Sequence, residues 1–273
     1  ICEKLESEYG ENQKILISKE GLVGNPFANF SDNTSIAHTL KKSFPDAKIL
    51  IIIRKQDDLL NSLYSLYLKF GGRRKVKDFL FYGKNGFTHS GLYTWDNRDP
   101  ALPPLGVSPY CLNYDNIVSN YIEIFGKKNI KILPYELLKH DQDDFFEEIA
   151  NFVECPNLKI NVDNTPVNRN KMGGSVKFMR FINRFARVDN NALGFIPINK
   201  TKHSDFSFLT RIWTNIAPKR FKTIKSISNL YNKKSQSLID ENLREEIMKI
   251  HNASNKKLDA LLDLDLKKFN YYK

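Results

Sequence analysis

With 273 residues, 41% of them hydrophobic and 12% aromatic, the chain has material for one large core, or a core with a lid-like insertion, and too little for three domains. Its 42 Lys and Arg against 31 Asp and Glu give a formal charge of +11, which favours nucleic acid, acidic lipid, an anionic glycan or a nucleotide as partner without choosing among them. Three widely spaced cysteines (Cys2, Cys111, Cys155) with no CxxC pair argue against a disulfide framework and a thiolate zinc site, and no HxH or HExxH spacing makes a metal site of the 5 histidines.

The first β-like run is Lys14–Ser18 (KILIS), brief and aliphatic. Ser35–Ser43 reads as a helix that stops before Pro45. Ala47–Arg54 (AKILIIIR) is apolar on both faces, the pattern of a central strand in a parallel sheet. Its Ile49–Ile53 stretch is the longest aliphatic run and falls far short of the roughly eighteen apolar residues of a membrane span, so no span and a soluble chain are expected. From Asp57 to Leu68 the apolar residues Leu59, Leu60, Leu63, Leu66 and Tyr67 make one helical stripe, opened by the acidic pair Asp57-Asp58.

Phe70–Cys111 differs from its surroundings: it mixes Gly71-Gly72, Gly83, Gly86, Gly91 and Pro103-Pro104 with Tyr, Trp and basic residues. A loop-rich insertion of this length reads as a lid or binding loop over an acceptor cleft. Asn129–Tyr135 (NIKILPY) is a further strand, with Pro134 near its end. Phe145, Phe146, Ile149, Phe152 and Val153 mark the next helix, and a long amphipathic helix around Leu243, Ile247, Ile250, Leu258 and Leu261 closes the chain. Strands alternating with helices predict an α/β layer fold, a single domain over 1–273 with 70–111 as its insertion.

The chemistry concentrates in Ile49–Tyr64, ILIIIRKQDDLLNSLY. Arg54 stands where the strand ends, and Ser62 eight residues later on the polar side of the next helix. Ligands of open α/β sheets bind beyond the carboxyl ends of strands, where an Arg fork and a Ser hydroxyl can hold a phosphate. The competing reading is an Arg paired with Asp57 or Asp58 and a solvated Ser.

Arg at the end of an aliphatic strand, Ser eight residues on and Tyr two after that resembles the 3′-phosphate-binding element of the sulfotransferase family, with Gln56 where the family has Pro. KILISKE resembles the family's strand ending in a carboxylate near the acceptor, and NIKILPYELLKHDQDDFFEEIANFV its later strand, loop and helix. The closing LDLDLKKFNYY is similar to the end of many members. The resemblance implies a three-layer parallel sheet flanked by helices, a P-loop-kinase-like core, and a helical C-terminal region.

It also implies roles. Arg54 and Ser62 would hold the 3′-phosphate of 3′-phosphoadenosine 5′-phosphosulfate (PAPS), and Glu20 would be the general base, raised toward neutrality by partial burial. In the basic stretch VNRNKMGG, Arg169 and Lys171 would close over the nucleotide, with no metal required. A carbohydrate acceptor, reached through Arg73, Arg74, Lys75, Lys77 and Lys84 if anionic, is expected, with Tyr93 and Trp95 to stack on a sugar and His89 as an alternative base. The family's loop for the 5′-phosphosulfate precedes the position matched by Glu20. No GxxxxGK(S/T) occurs here, and KMGGS at Lys171–Ser175 has the residue types in the wrong order. Either that loop lies upstream of Ile1, which is the expectation, or it has been lost and the protein is no longer an enzyme; the 273 residues alone are expected to be inactive.

Two rival classes remain. The basic, aromatic stretch around Phe178–Arg187 suits a non-catalytic nucleic-acid-binding protein. Another nucleotide-dependent group transferase on the same fold would need a Walker-type loop and a strand-end Asp. Cysteine usage points to the cytoplasm. A Golgi-lumen enzyme with its anchor removed is the alternative, given N-x-S/T at Asn29, Asn33, Asn199 and Asn252.

Overall fold

Two of the aliphatic runs pair as parallel strands in the computed structural model, which describes residues 14–26, 29–69, 72–88, 106–155, 176–177, 180 and 237–273. In chain order the elements are helix α1 (Asn33–Ser43), strand β1 (Ile49–Ile53), α2 (Gln56–Lys69), α3 (Val76–Phe79), the short strands β2 (Tyr82–Gly83) and β3 (Gly86–Phe87), α4 (Tyr114–Phe125), β4 (Ile130–Pro134), α5 (Tyr135–His140), α6 (Gln142–Phe152) and α7 (Glu241–Leu262). Among the described residues the chain is rich in helix and its parallel sheet has two strands. The chain divides into two units: Ile1–Gln56 with Val107–Val162 and Glu245–Lys273, and Asp57–Gly106 with Asp163–Arg244.

In the first unit β1 and β4 run parallel from Ile49↔Ile130 to Ile53↔Pro134, so both strands end on the same side. Parallel pairing needs a long crossover between the two strands. β4 is the more buried strand, with Ile130, Ile132, Leu133 and Pro134 all inside. The uniformly apolar β1 does not match this: Ile53 is buried but Ile52 is 51% exposed. Helix α1 lies against α4, where Asn120 Nδ2 donates to Asn33 Oδ1 (3.3 Å), and Tyr121 OH of α4 donates to Leu22 O (3.0 Å) in the turn before α1. Gly126 ends α4 at φ +82, a conformation that glycine takes without strain. Asp141 caps α6 by accepting from Asp144 N (3.0 Å).

The end of the chain folds back. Asp259 Oδ1 accepts from Leu264 N and Leu266 N (both 3.1 Å), while Asp263, Asp265 and Asn270 take positive φ, which short polar side chains tolerate best after glycine. The alternation of LDLDLKKFN thus encodes a series of tight turns, and these bury Leu266, Phe269 and Tyr271.

In the second unit, the apolar stripe of α2 supplies Leu60, Leu63, Tyr64, Tyr67 and Leu68 to the core. The rings of Tyr64 and Tyr67 stand 5.3 Å and 4.9 Å from Phe79. Tyr67 OH accepts from the N–H groups of Arg73 and Arg74 (3.0 Å each), and Tyr64 OH donates to Arg74 O (3.0 Å). Gly72 is required here, since a Cβ would lie 2.3 Å from the Tyr67 ring. The 70–111 insertion therefore has structure of its own where it is described: a short helix and the hairpin β2–β3, with Tyr82 and Phe87 opposed.

Lys14–Ser18 is not a strand. Residues 14–19 lack regular structure, Leu16 is 76% exposed and Ile15 and Ile17 are half-exposed. Three consecutive aliphatic residues satisfy a β pattern, but a strand also needs a neighbour's N–H and C=O groups, and β1 and β4 bond only to each other among the described residues.

The two strands offer a paired test by urea unfolding. Ile132→Ala, at a position 1% exposed, is expected to lower stability by about 2–5 kcal/mol. Ile52→Thr on the adjacent strand is expected to change it by about 0.5 kcal/mol or less.

Candidate functional site

Because β1 and β4 end on the same side, the residues after each strand meet: Arg54 and Lys55 after β1, Tyr135 and Glu136 after β4. The Arg54 guanidinium lies over the Tyr135 ring, 5.3 Å from its centre, and stacking holds the fork without using its N–H donors. Arg54 Nε is buried and has no hydrogen-bond partner, and no carboxylate among the described residues pairs with the side chain. Asp57 and Asp58 are not its partners; both carboxylates are taken by Arg244, Asp58 at 3.3 Å.

The backbone under Arg54 is held from two sides. Tyr114 OH donates to Arg54 O (2.7 Å), and Lys55 N donates to Glu136 Oε1 (3.3 Å). The second carboxylate oxygen of Glu136, itself buried, accepts from Tyr271 OH at 2.5 Å. Burial, and after it the Glu136 charge, holds the Tyr271 phenol far above its usual range, so it stays a donor. Burial does the same to Tyr114. Gln56, at the position where the resemblance has Pro, is fully buried and exchanges two hydrogen bonds with Asn255, at 2.7 and 3.1 Å.

Other titratable groups nearby are silenced by burial. The Cys111 thiol is pushed up to about 12. His251 is fully buried and its Nδ1 donates to Asn113 Oδ1 (3.1 Å), but Nε2 meets no partner and desolvation lowers its pKa from 6.5 to about 4. It is a neutral core histidine. Among the described residues no three His, Cys, Asp or Glu side chains group as a metal site would need, and no helix is long and apolar enough to cross a membrane.

The remaining expected residues fall elsewhere. Ser62 lies on α2 in the second unit, partly exposed, and Tyr64 two residues on is a core residue. Glu20 opens a 3-10 turn (Glu20–Val23) instead of following a strand, since Lys14–Ser18 forms none. Lys75, Lys77 and Lys84 are exposed, while Arg73 and Arg74 are half-buried. Arg169, Lys171, His89, Tyr93, Trp95 and the Phe178–Arg187 stretch, apart from Arg180, lie outside the described residues. The sequence pattern gave no role to Tyr114, Asn255 or Tyr271; only the closing FNYY hinted at the last of these.

No protein-family model matches the chain, and no curated protein does. Among solved structures it is similar to a sulfotransferase from Alicyclobacillus acidocaldarius, with 15% identity and a TM-score of 0.45. The match covers 87% of this chain and 63% of that one.

His251 carries a pH prediction. Unfolded, its ring takes a proton near 6.5; folded, it stays neutral down to about 4. Between those values the unfolded state binds more protons, so this contribution to stability is present above 6.5 and lost as pH falls toward 4, to the extent of about 3 kcal/mol. Urea unfolding of wild type and His251→Gln across pH 4–7 should show a shallower acid loss in the variant.

Proposed function

We propose that the chain acts in sulfuryl transfer, binding the adenosine 3′,5′-bisphosphate part of PAPS with Arg54 as the ligand of the 3′-phosphate. The observation that carries this reading is the state of Arg54: a strand-end guanidinium stacked on Tyr135, with a buried Nε donor lacking an acceptor. A buried donor left unpaired costs about 1–3 kcal/mol, and a phosphate oxygen is the acceptor a guanidinium suits best. The pattern Arg54–Ser62–Tyr64 supports a 3′-phosphorylated adenosine over other anions, and Ser62 joins the reading on its spacing alone.

PAPS would supply the sulfuryl group. The chain's part is to bind and orient the donor, with Glu20 to take the acceptor proton and Arg169 and Lys171 to cover the nucleotide. Such transfers depend mostly on positioning and on positive charge around a loose transition state. For the acceptor we propose a carbohydrate hydroxyl or amine, and an anionic glycan fits the exposed Lys75, Lys77 and Lys84.

Binding tests the reading without requiring turnover. By calorimetry at moderate salt, adenosine 3′,5′-bisphosphate should bind about tenfold or more tighter than 5′-AMP, the effect of hydrogen bonds to a charged group. Arg54→Ala should abolish that preference and Ser62→Ala reduce it. Equal binding of the two nucleotides, or none, would refute the donor site; steeply salt-dependent binding of single-stranded DNA would then favour the nucleic-acid reading.

A further inference from the structure

The peptide that joins Arg54 to Lys55 is pinned at both of its polar ends. Its oxygen accepts from Tyr114 OH (2.7 Å) and its N–H donates to Glu136 Oε1 (3.3 Å). A peptide unit is planar, so fixing oxygen and hydrogen together fixes the orientation of the whole plane, and with it the direction in which the Arg54 side chain leaves the backbone.

The second pin belongs to a closed ring. Glu136 Oε2 accepts from Tyr271 OH (2.5 Å), and Tyr271 O accepts from Asn255 Nδ2 (2.8 Å). Asn255 and Gln56 exchange two amide hydrogen bonds (2.7 and 3.1 Å), and Gln56 follows Lys55 in the chain. Gln56, Asn255 and Tyr271 are fully buried and Glu136 nearly so. Four polar side chains in a core are costly unless every group is matched. Here they are matched, because the remaining amide hydrogen of Gln56 reaches Leu112 O (3.4 Å). A fully satisfied buried network is rigid.

We infer that Glu136 and Tyr271, with Tyr114 opposite, are positioning residues that hold Arg54 in the geometry its anion requires; this rests on the donor-site reading above. None of the three needs to touch the ligand. The tail that follows α7 is then part of the phosphate site through Tyr271, 217 positions after Arg54 (271 − 54).

The test measures adenosine 3′,5′-bisphosphate and 5′-AMP binding to wild type, Tyr271→Phe, Tyr114→Phe and Glu136→Gln, alone and in an Arg54→Ala background. Exchange of the Lys55 amide is followed by NMR in the same proteins. Tyr271→Phe and Tyr114→Phe should each cut the preference for the bisphosphate by about tenfold, with little change in AMP binding and with no effect once Arg54 is Ala. Tyr271→Phe should also speed Lys55 exchange. Glu136→Gln keeps an oxygen for Lys55 N and should retain most of the preference. If wild type prefers the bisphosphate and both phenylalanine variants keep that preference, the positioning role is wrong and the donor site stands. Equal weakening of both nucleotides would mean a structural role only, which also overturns it. A wild type with no preference overturns the donor site and this inference together.

Discussion

One peptide plane organises the region where the strands end. Between Arg54 and Lys55, the carbonyl is held by a tyrosine from the start of α4 and the N–H by a glutamate from α5. Both partners arrive because β1 and β4 are parallel and in register, ending at Ile53 and Pro134. A side chain on a free loop would spread its charge over many rotamers and lose that entropy on binding. Here the backbone is fixed, the guanidinium is stacked on Tyr135, and much of that loss is met during folding.

The disposition of charge follows the same logic. Arg54 is followed by two carboxylates, Asp57 and Asp58, close enough in sequence to neutralise it. Both sit in the first turn of α2, where the helix dipole favours acids, and both bond to Arg244. Arg244 also reaches Ser237, and Asn61 accepts from the N–H groups of Leu238 and Ile239, so this acidic helix start is tied to the segment that leads into α7. Both acids are paired with Arg244, Asp57 through Oδ2 while its Oδ1 is buried without a hydrogen-bond partner. Neither carboxylate pairs with Arg54.

Much of this was legible in the sequence, and the gaps have physical causes. β1 and β4 are legible as aliphatic runs and α2 and α6 from their helical stripes, and their bounds fall within about three residues of the pattern. The place of Arg54 just beyond the end of β1 is legible because strand ends are marked by a change from aliphatic to charged residues. Lys14–Ser18 was misread because composition reports a residue's fitness for a strand and says nothing of whether a partner edge is present. Gln56, Asn255 and Tyr271 were missed for a related reason: their pairing spans 199 positions in one case and 16 in another, and no local pattern encodes it.

Gln56 constrains its loop in a different way from a proline. Proline stiffens a loop by fixing its own φ, a constraint that depends on no other residue. A buried glutamine constrains the loop only if its amide finds matched partners, and here those are Asn255 and Leu112 O. The stiffness of the Arg54 loop therefore depends on the packing of α7, because Asn255 must be delivered to within 2.7 Å of Gln56. The constraint on this loop is tertiary, not local. The consequence is that loop geometry and the docking of the C-terminal tail form one cooperative unit, in which loss of either partner leaves a buried amide unpaired and loosens both.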